Sequence, residues 1–332
     1  MRYASVGCKY FYVGLQVMLE TLKKEKFSQN IISVFARHET FYPRFGWLKK
    51  GFDKASETPD VFLSEAAPTS LGVGKNMVKA IKYWCLAFKV LEEAKEQGRT
   101  KALIPSAFGQ KLLGNRGWDP YLEDPASLWL LHWHLLKSPC LATAWYYVFS
   151  VFNKNNFTAE DLGSGLIEFK DNLFLNNRIL ESSVMKDVAC ILRMYTAQRG
   201  NKGMDEDSID SPFAELGLIH NYGDSRHYLF NTGPKRNLSP SIIVASCLDY
   251  VDKMQETART IAMSRLAYED GSPGLCFRLS ENALADAVES ISGRYDEISL
   301  SNTAGLLQMS FDAEPRMLSD KLIEDYYKRG KN

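Results

Sequence analysis

Residues 71–91 constrain this chain more than any other stretch, because they carry Lys75, Lys79, Lys82 and Lys89 and no acidic residue at all. Wound at about 100° per residue, the segment sets Val78, Ile81, Cys85 and Phe88 on one side, with Trp84 at the edge, the spacing with which a helix docks on a core. Lys75, Lys79 and Lys82 fall on another side. Solvated helix faces usually mix signs, and this chain balances 40 basic against 40 acidic residues. The basic stripe is therefore either a chance run on a surface helix or a surface meant for an anionic partner.

The neighbouring residues favour the second reading. Residues 58–67 predict a short helix starting near Pro59, and residues 68–72 supply turn chemistry ahead of the basic helix. Downstream, residues 88–92 close that helix, Gly98-Arg99 makes a turn, residues 100–106 read as a short strand, and residues 107–114 as a small helix. Helix, turn, basic helix, strand and helix in this order predict a winged helix-turn-helix DNA-binding domain over residues 31–122. Lysines at phosphates release counterions, so Lys75, Lys79 and Lys82 are expected to neutralise the backbone. Asn76, Tyr83 and Lys79 stand best to reach base edges, although one helix implies no base preference.

Composition bounds the rest. With 332 residues, 45% of them hydrophobic and 12% aromatic, the chain can bury the core of two or three domains and is not disordered. Its neutral balance confines any nucleic-acid contact to local patches. The six cysteines (Cys8, Cys85, Cys140, Cys190, Cys247 and Cys276) lie far apart with no Cys-x-x-Cys pair. That spacing speaks against zinc and a disulfide scaffold, and predicts reduced, buried thiols in a cytoplasmic protein. Lys9 interrupts any apolar leader, and the longest uncharged run, residues 138–153, is too short to span a bilayer, so no membrane is expected.

The whole reads as mainly α with small β elements, an α+β chain in which the winged helix-turn-helix precedes helical and mixed segments. Residues 1–30 form an N-terminal extension, 31–122 the DNA-binding domain, 123–200 a helical domain and 201–332 a mixed helical domain. Asp124-Pro125 opens a nearly continuous apolar helix that Ser138-Pro139 breaks, and a second apolar helix to Phe152 makes a buried hairpin. Residues 157–162 and 182–195 predict two further helices. Residues 200–211 are polar and acidic and read as a linker or loop. Beyond it come a short strand at 228–230, a helix from Pro240, and a helix capped by Ser280.

Several residues could carry chemistry. Gly72-Val73-Gly74-Lys75 is not an ATP phosphate loop, because Thr69 stands where the first glycine belongs and Asn76 replaces the magnesium-binding Ser or Thr. No nucleotide cofactor is expected. His132 and His134 are two apart, point to different sides of a helix and read as core residues. Asp161 followed by Glu168-Phe169-Lys170 has the acids and lysine of metal-dependent nucleases, and equally the composition of a helix cap. His38 and Glu39 precede a basic aromatic segment with Arg44, Lys49 and Lys50. They are candidates for catalysis at a phosphodiester whose charge those cations neutralise, with a packing corner of Phe41, Phe45 and Trp47 as the alternative.

The segments His38-Glu39-Thr40-Phe41, Arg44, Gly46 to Gly51, Leu71 to Val78, Ile81, Tyr83-Trp84, Pro212 to Ile219, Phe230 to Lys235 and Leu266 to Gly274 together resemble the SspB-like family of bacterial DNA phosphorothioation and antiphage-defence systems. The likeness spans about residues 30–310. It implies a DNA-binding protein that nicks double-stranded DNA beside a cysteine desulfurase, an ATP pyrophosphatase and an ATPase, and it transfers no catalytic motif onto particular positions. The expected activity is a nicking endonuclease using Mg²⁺ or Mn²⁺. The alternatives are a non-catalytic DNA-binding adaptor that recruits the sulfur-transfer enzymes, and an ordinary transcription regulator, for which no ligand or dimerisation module is legible.

Overall fold

Glycine and proline placement decides how the first helices are cut. A computed structural model describes residues 31–94, 102–174, 179–197, 211–222, 226–255, 257–303 and 305–330. Helix α1 (Trp47–Glu57) buries Trp47, Leu48, Phe52 and Ala55. A 3-10 turn at Val61–Leu63 and the short helix α2 (Ala67–Leu71) follow. The sequence reading put the helix at 58–67 and the turn at Pro68. Instead Pro68 sits in the first turn of α2, where its missing N–H costs nothing, and the chain turns at Gly72, whose φ of 62° lies in the left-handed region.

Helix α3 (Lys75–Ala87) buries its apolar stripe as the spacing requires: Val78, Ile81 and Cys85 face the core, and Trp84, placed at the edge, is fully enclosed. The chain leaves the helix earlier than expected. Lys89 takes a φ of 58°, and residues Leu91–Glu93 form strand β1 instead of the last helical turn. β1 pairs antiparallel with β2 (Leu103–Pro105), in the register Leu91 opposite Pro105. The expected turn at Gly98-Arg99 lies outside the described residues. Ser106 accepts the Gly109 N–H at 2.9 Å and so caps α4 (Ala107–Leu113). Gly109 is required there, since a Cβ would stand 2.0 Å from the Val90 carbonyl oxygen.

Helix α5 (Pro125–Leu136) is capped by Asp124, which accepts the Ala126 N–H at 2.8 Å, and it is buried nearly all round. A cis Ser138-Pro139 bond leads to α6 (Thr143–Tyr146), continued by a π-helical turn at Tyr147–Val151, so the apolar hairpin forms. Strand β3 (Asn156–Thr158) precedes α7 (Ala159–Leu173) and α8 (Glu181–Tyr195). After a 3-10 turn at Pro212–Leu216 come β4 (Ile219–Tyr222), β5 (His227–Phe230) and α9 (Pro240–Met254). The chain ends with β6 (Thr260–Ala262), α10 (Met263–Tyr268), α11 (Pro273–Phe277), α12 (Glu281–Ser292), β7 (Ile298–Thr303), β8 (Leu306–Phe311) and α13 (Pro315–Arg329).

The described strands form three small sheets, β1-β2, β3-β5-β4 and β6-β8-β7, with antiparallel pairing. The chain is thus mainly α with small β elements. One cluster of buried apolar side chains runs from Ile31 to Tyr327 and is shared by the segments at 31–122, 123–200 and 201–332. The five described cysteines are free and buried. No helix among the described residues is long and apolar enough to cross a membrane.

His132 sits in this core, its Nδ1 2.7 Å from the Tyr195 hydroxyl and its Nε2 2.9 Å from the Cys276 carbonyl. Burial lowers its pKa from 6.5 to about 4. Above pH 6.5 neither the folded nor the unfolded chain protonates it; between 6.5 and about 4 only the unfolded chain does. Stability present above 6.5 is therefore lost as the pH falls through this window, by roughly 3 kcal/mol for a shift of this size. Urea midpoints measured between about pH 7 and about pH 4.5 should fall accordingly, and a flat series would contradict a neutral His132.

Candidate nucleic-acid interface

The polar side of α3 faces solvent. Lys75, Asn76 and Lys79 are exposed and Lys82 is half-buried. Lys75 and Lys82 form no ion pair with any described residue, while Lys79 Nζ lies 3.3 Å from Glu39 Oε1. Gly74 precedes the helix without a side-chain cap, so the first-turn N–H groups add the positive end of the helix dipole to the lysines. With α2 and the Gly72 turn before it and the β1-β2 hairpin after it, this face can neutralise closely spaced phosphates.

The segment before α1 is built differently from expectation. His38 is completely buried: its Nε2 meets Asp187 Oδ1 of α8 at 2.7 Å, and its ring stacks on Trp84 and meets the edge of Trp145. The same carboxylate oxygen accepts the Ala36 N–H at 2.9 Å. Burial raises the Asp187 pKa, against the opposing pull of His38 and Ala36. A side chain sealed behind two tryptophans cannot reach a phosphodiester, so the catalytic reading of His38 is corrected to a tie between the loop and α8. Glu39 is half-buried and engages Lys79 in place of any reacting atom.

Tyr83 is a second correction. It is only 9% exposed, packs against Trp84, and donates its hydroxyl to the Leu141 carbonyl at 3.3 Å, so it is directed inward and away from any base edge. The spacing misplaced it because a helix this deeply docked buries more than one stripe. Arg44 lies over the rings of Phe41 and Trp47, at 5.9 and 5.6 Å from their centroids. Lys49 is mostly covered, pairing with Asp53 at 2.5 Å and lying over Tyr121, whereas Lys50 is exposed. Tyr121, 74% exposed beside this basic helix, was not singled out by any sequence pattern.

The acid and lysine arrangement near residue 165 is a helix cap. Asp161 accepts the Thr158 N–H at 3.0 Å, and Thr158 Oγ1 accepts the Asp161 N–H at 3.1 Å. Lys170 pairs with Asp171 and donates to the Ile179 carbonyl. Among the described residues no group of three His, Cys, Asp or Glu side chains is placed to hold a metal ion.

The family model described as "Protein of unknown function (DUF4007)" matches residues 35–327. A magnesium ion-bound SspB crystal structure superposes with a TM-score of 0.86 at 38% identity, covering 91% of this chain and 90% of that one. A further SspB crystal structure gives 0.85 at 37% identity with the same coverage. The chain belongs to the SspB-like family. No curated protein matches it. The SspB-like signature segments fall on the loop before α1 and the start of α1, on α2 and α3, on the 3-10 turn at Pro212–Leu216, at and after the end of β5 and across the α10-α11 turn. In this SspB-like chain those segments join turns to buried faces, so the resemblance was carried largely by packing positions.

Proposed function

We propose that this protein is a DNA-binding component of a bacterial phosphorothioation and phage-defence system, engaging double-stranded DNA through α3 in the manner of a winged helix-turn-helix. The observation that carries this reading is the solvent-facing side of α3, with Lys75, Asn76 and Lys79 exposed and Lys82 half-buried, on an uncapped helix flanked by a turn and a hairpin. Arg44 and Lys50 lie before and on α1, which packs against α3, and extend the basic surface; Lys49 lends its charge to it from a partly covered position. The proposed partners are duplex DNA and the cysteine desulfurase, ATP pyrophosphatase and ATPase of such systems.

Whether the protein also cuts DNA is the second part of the reading. A relative was solved with a magnesium ion, which favours metal-assisted nicking with Mg²⁺ or Mn²⁺. Among the described residues no three His, Cys, Asp or Glu side chains gather at one point, and no hydrolytic step is assigned to particular residues. Supercoiled plasmid incubated with either metal decides: open-circle product abolished by EDTA makes the protein the nickase, and intact supercoil makes it the adaptor.

Glu39 sits on this proposed surface as an intramolecular competitor. It occupies the Lys79 ammonium that a phosphate would take. Glu39→Gln is expected to raise duplex affinity a few-fold and to steepen the salt dependence by up to about 0.9 in log–log slope. Salt titrations of binding by fluorescence anisotropy test this, and equal slopes would show that Lys79 lies off the interface.

A further inference from the structure

A cavity of about 140 Å³ lies where α4, α5, α9 and α13 meet, lined by Phe108, Trp133, His134, Lys137, Asp249 and Arg316 among others. Its carboxylates are already engaged. Asp249 takes the Lys137 ammonium at 2.5 Å and the Trp133 indole N–H at 2.7 Å, and Asp320 faces Lys111 at 3.5 Å. The positive groups are not all used. Arg316 is exposed and forms no ion pair with any described residue, and Lys253 lies over the Trp133 ring at 5.3 Å. Lys89 donates to the His134 and Lys137 carbonyls at 2.5 and 2.8 Å, which offsets the negative end of α5.

His134 stands in the middle of these charges. Its ring stacks on Phe108 with centroids 3.6 Å apart, and its Nδ1 is shielded from solvent with no hydrogen-bond partner. Burial, followed by the cations of Lys137, Lys89, Lys253 and Arg316, holds its pKa well below the usual histidine range. A shielded ring nitrogen without a partner is costly, and cations gathered around occupied carboxylates leave uncompensated positive potential. An anion in the cavity would answer the charge, while the Nδ1 is closed off from it.

We propose that this cavity is an oxyanion site of phosphate size, with Arg316 supplying the free charge and Lys137, shared with Asp249, adding to it beside the His134 ring. The same chemistry is presented by inorganic phosphate and by the terminal phosphate of a nucleic-acid strand. The proposal does not depend on α3 binding DNA, because its first probe contains no nucleic acid.

Calorimetric titration of the full chain with inorganic phosphate should show one saturable site with a Kd of about 1 mM or tighter. Arg316→Gln should weaken it about tenfold while leaving the phosphate-free unfolding temperature unchanged, because the side chain is exposed. Competition separates the two sources: displacement of phosphate by a 5′-phosphorylated but not a 5′-hydroxyl nicked duplex identifies a strand end, and displacement by neither identifies a free anion. Absence of saturable binding, or binding by R316Q equal to that of the unaltered chain, overturns the proposal.

Discussion

Simultaneous replacement of Lys75, Lys79 and Lys82 by alanine is expected to lower duplex-DNA affinity by about a hundredfold near physiological salt and to flatten the log–log salt slope by roughly 1.8 to 2.7, the lower figure applying where Glu39 holds Lys79 from a phosphate. The size follows from counterion release, which contributes about 0.9 to the slope for each phosphate neutralised. None of the three lysines is buried, and only Lys79 has an ion-pair partner among the described residues, so the changes should cost little stability. Alanine is also the best helix former, which preserves α3. Binding isotherms measured across a salt series test the expectation. An unchanged slope would remove α3 from the interface, whatever the change in absolute affinity.

The second large effect is expected in stability. Asp187→Ala should lower the unfolding free energy by about 3 kcal/mol, because it deletes one member of a buried hydrogen-bonded pair and strands the other. Two donors depend on that carboxylate: the His38 ring at 2.7 Å and the Ala36 N–H at 2.9 Å. Asp187→Asn keeps an acceptor oxygen in the same place and should lose less. Urea unfolding with an unchanged m-value is the measurement. The same pair decides the role of His38. If His38 is a tie, His38→Ala destabilises the fold, and any nicking activity per folded molecule persists; a stable but inactive His38→Ala protein would return it to the reacting centre.

These two experiments probe the two kinds of information the chain carries. Periodicity located α3 and its core face well, because Val78, Ile81 and Cys85 obey the helical repeat and the repeat needs no partner to be recognised. The caps were equally legible: Asp124 before α5 and Ser280 before α12 sit where local hydrogen bonding requires them. Strand β1 was not legible, since Leu91–Glu93 gains its conformation from pairing with Leu103–Pro105, a long-range contact with no local pattern. The β7-β8 hairpin and α13 were missed too: the two strands, although the longest described, were not assigned, and α13 is too polar for its apolar stripe to stand out.

The candidate site divides along the same line. Sequence alone determined that a basic, acid-free helix exists, that it carries an apolar stripe, that Gly72–Lys75 departs from the phosphate-loop pattern, and which family the chain resembles. All of these depend on residue type and spacing along a single element. Tertiary structure decided which polar side chains remain free for a ligand. It turned His38 and Tyr83 inward, set Glu39 against Lys79, and gathered Lys137, His134 and Arg316 around one cavity from helices far apart in the chain. The physical reason is that exposure and charge neighbourhood arise from contacts between elements, and a helical repeat fixes which residues share a face without fixing what that face will meet.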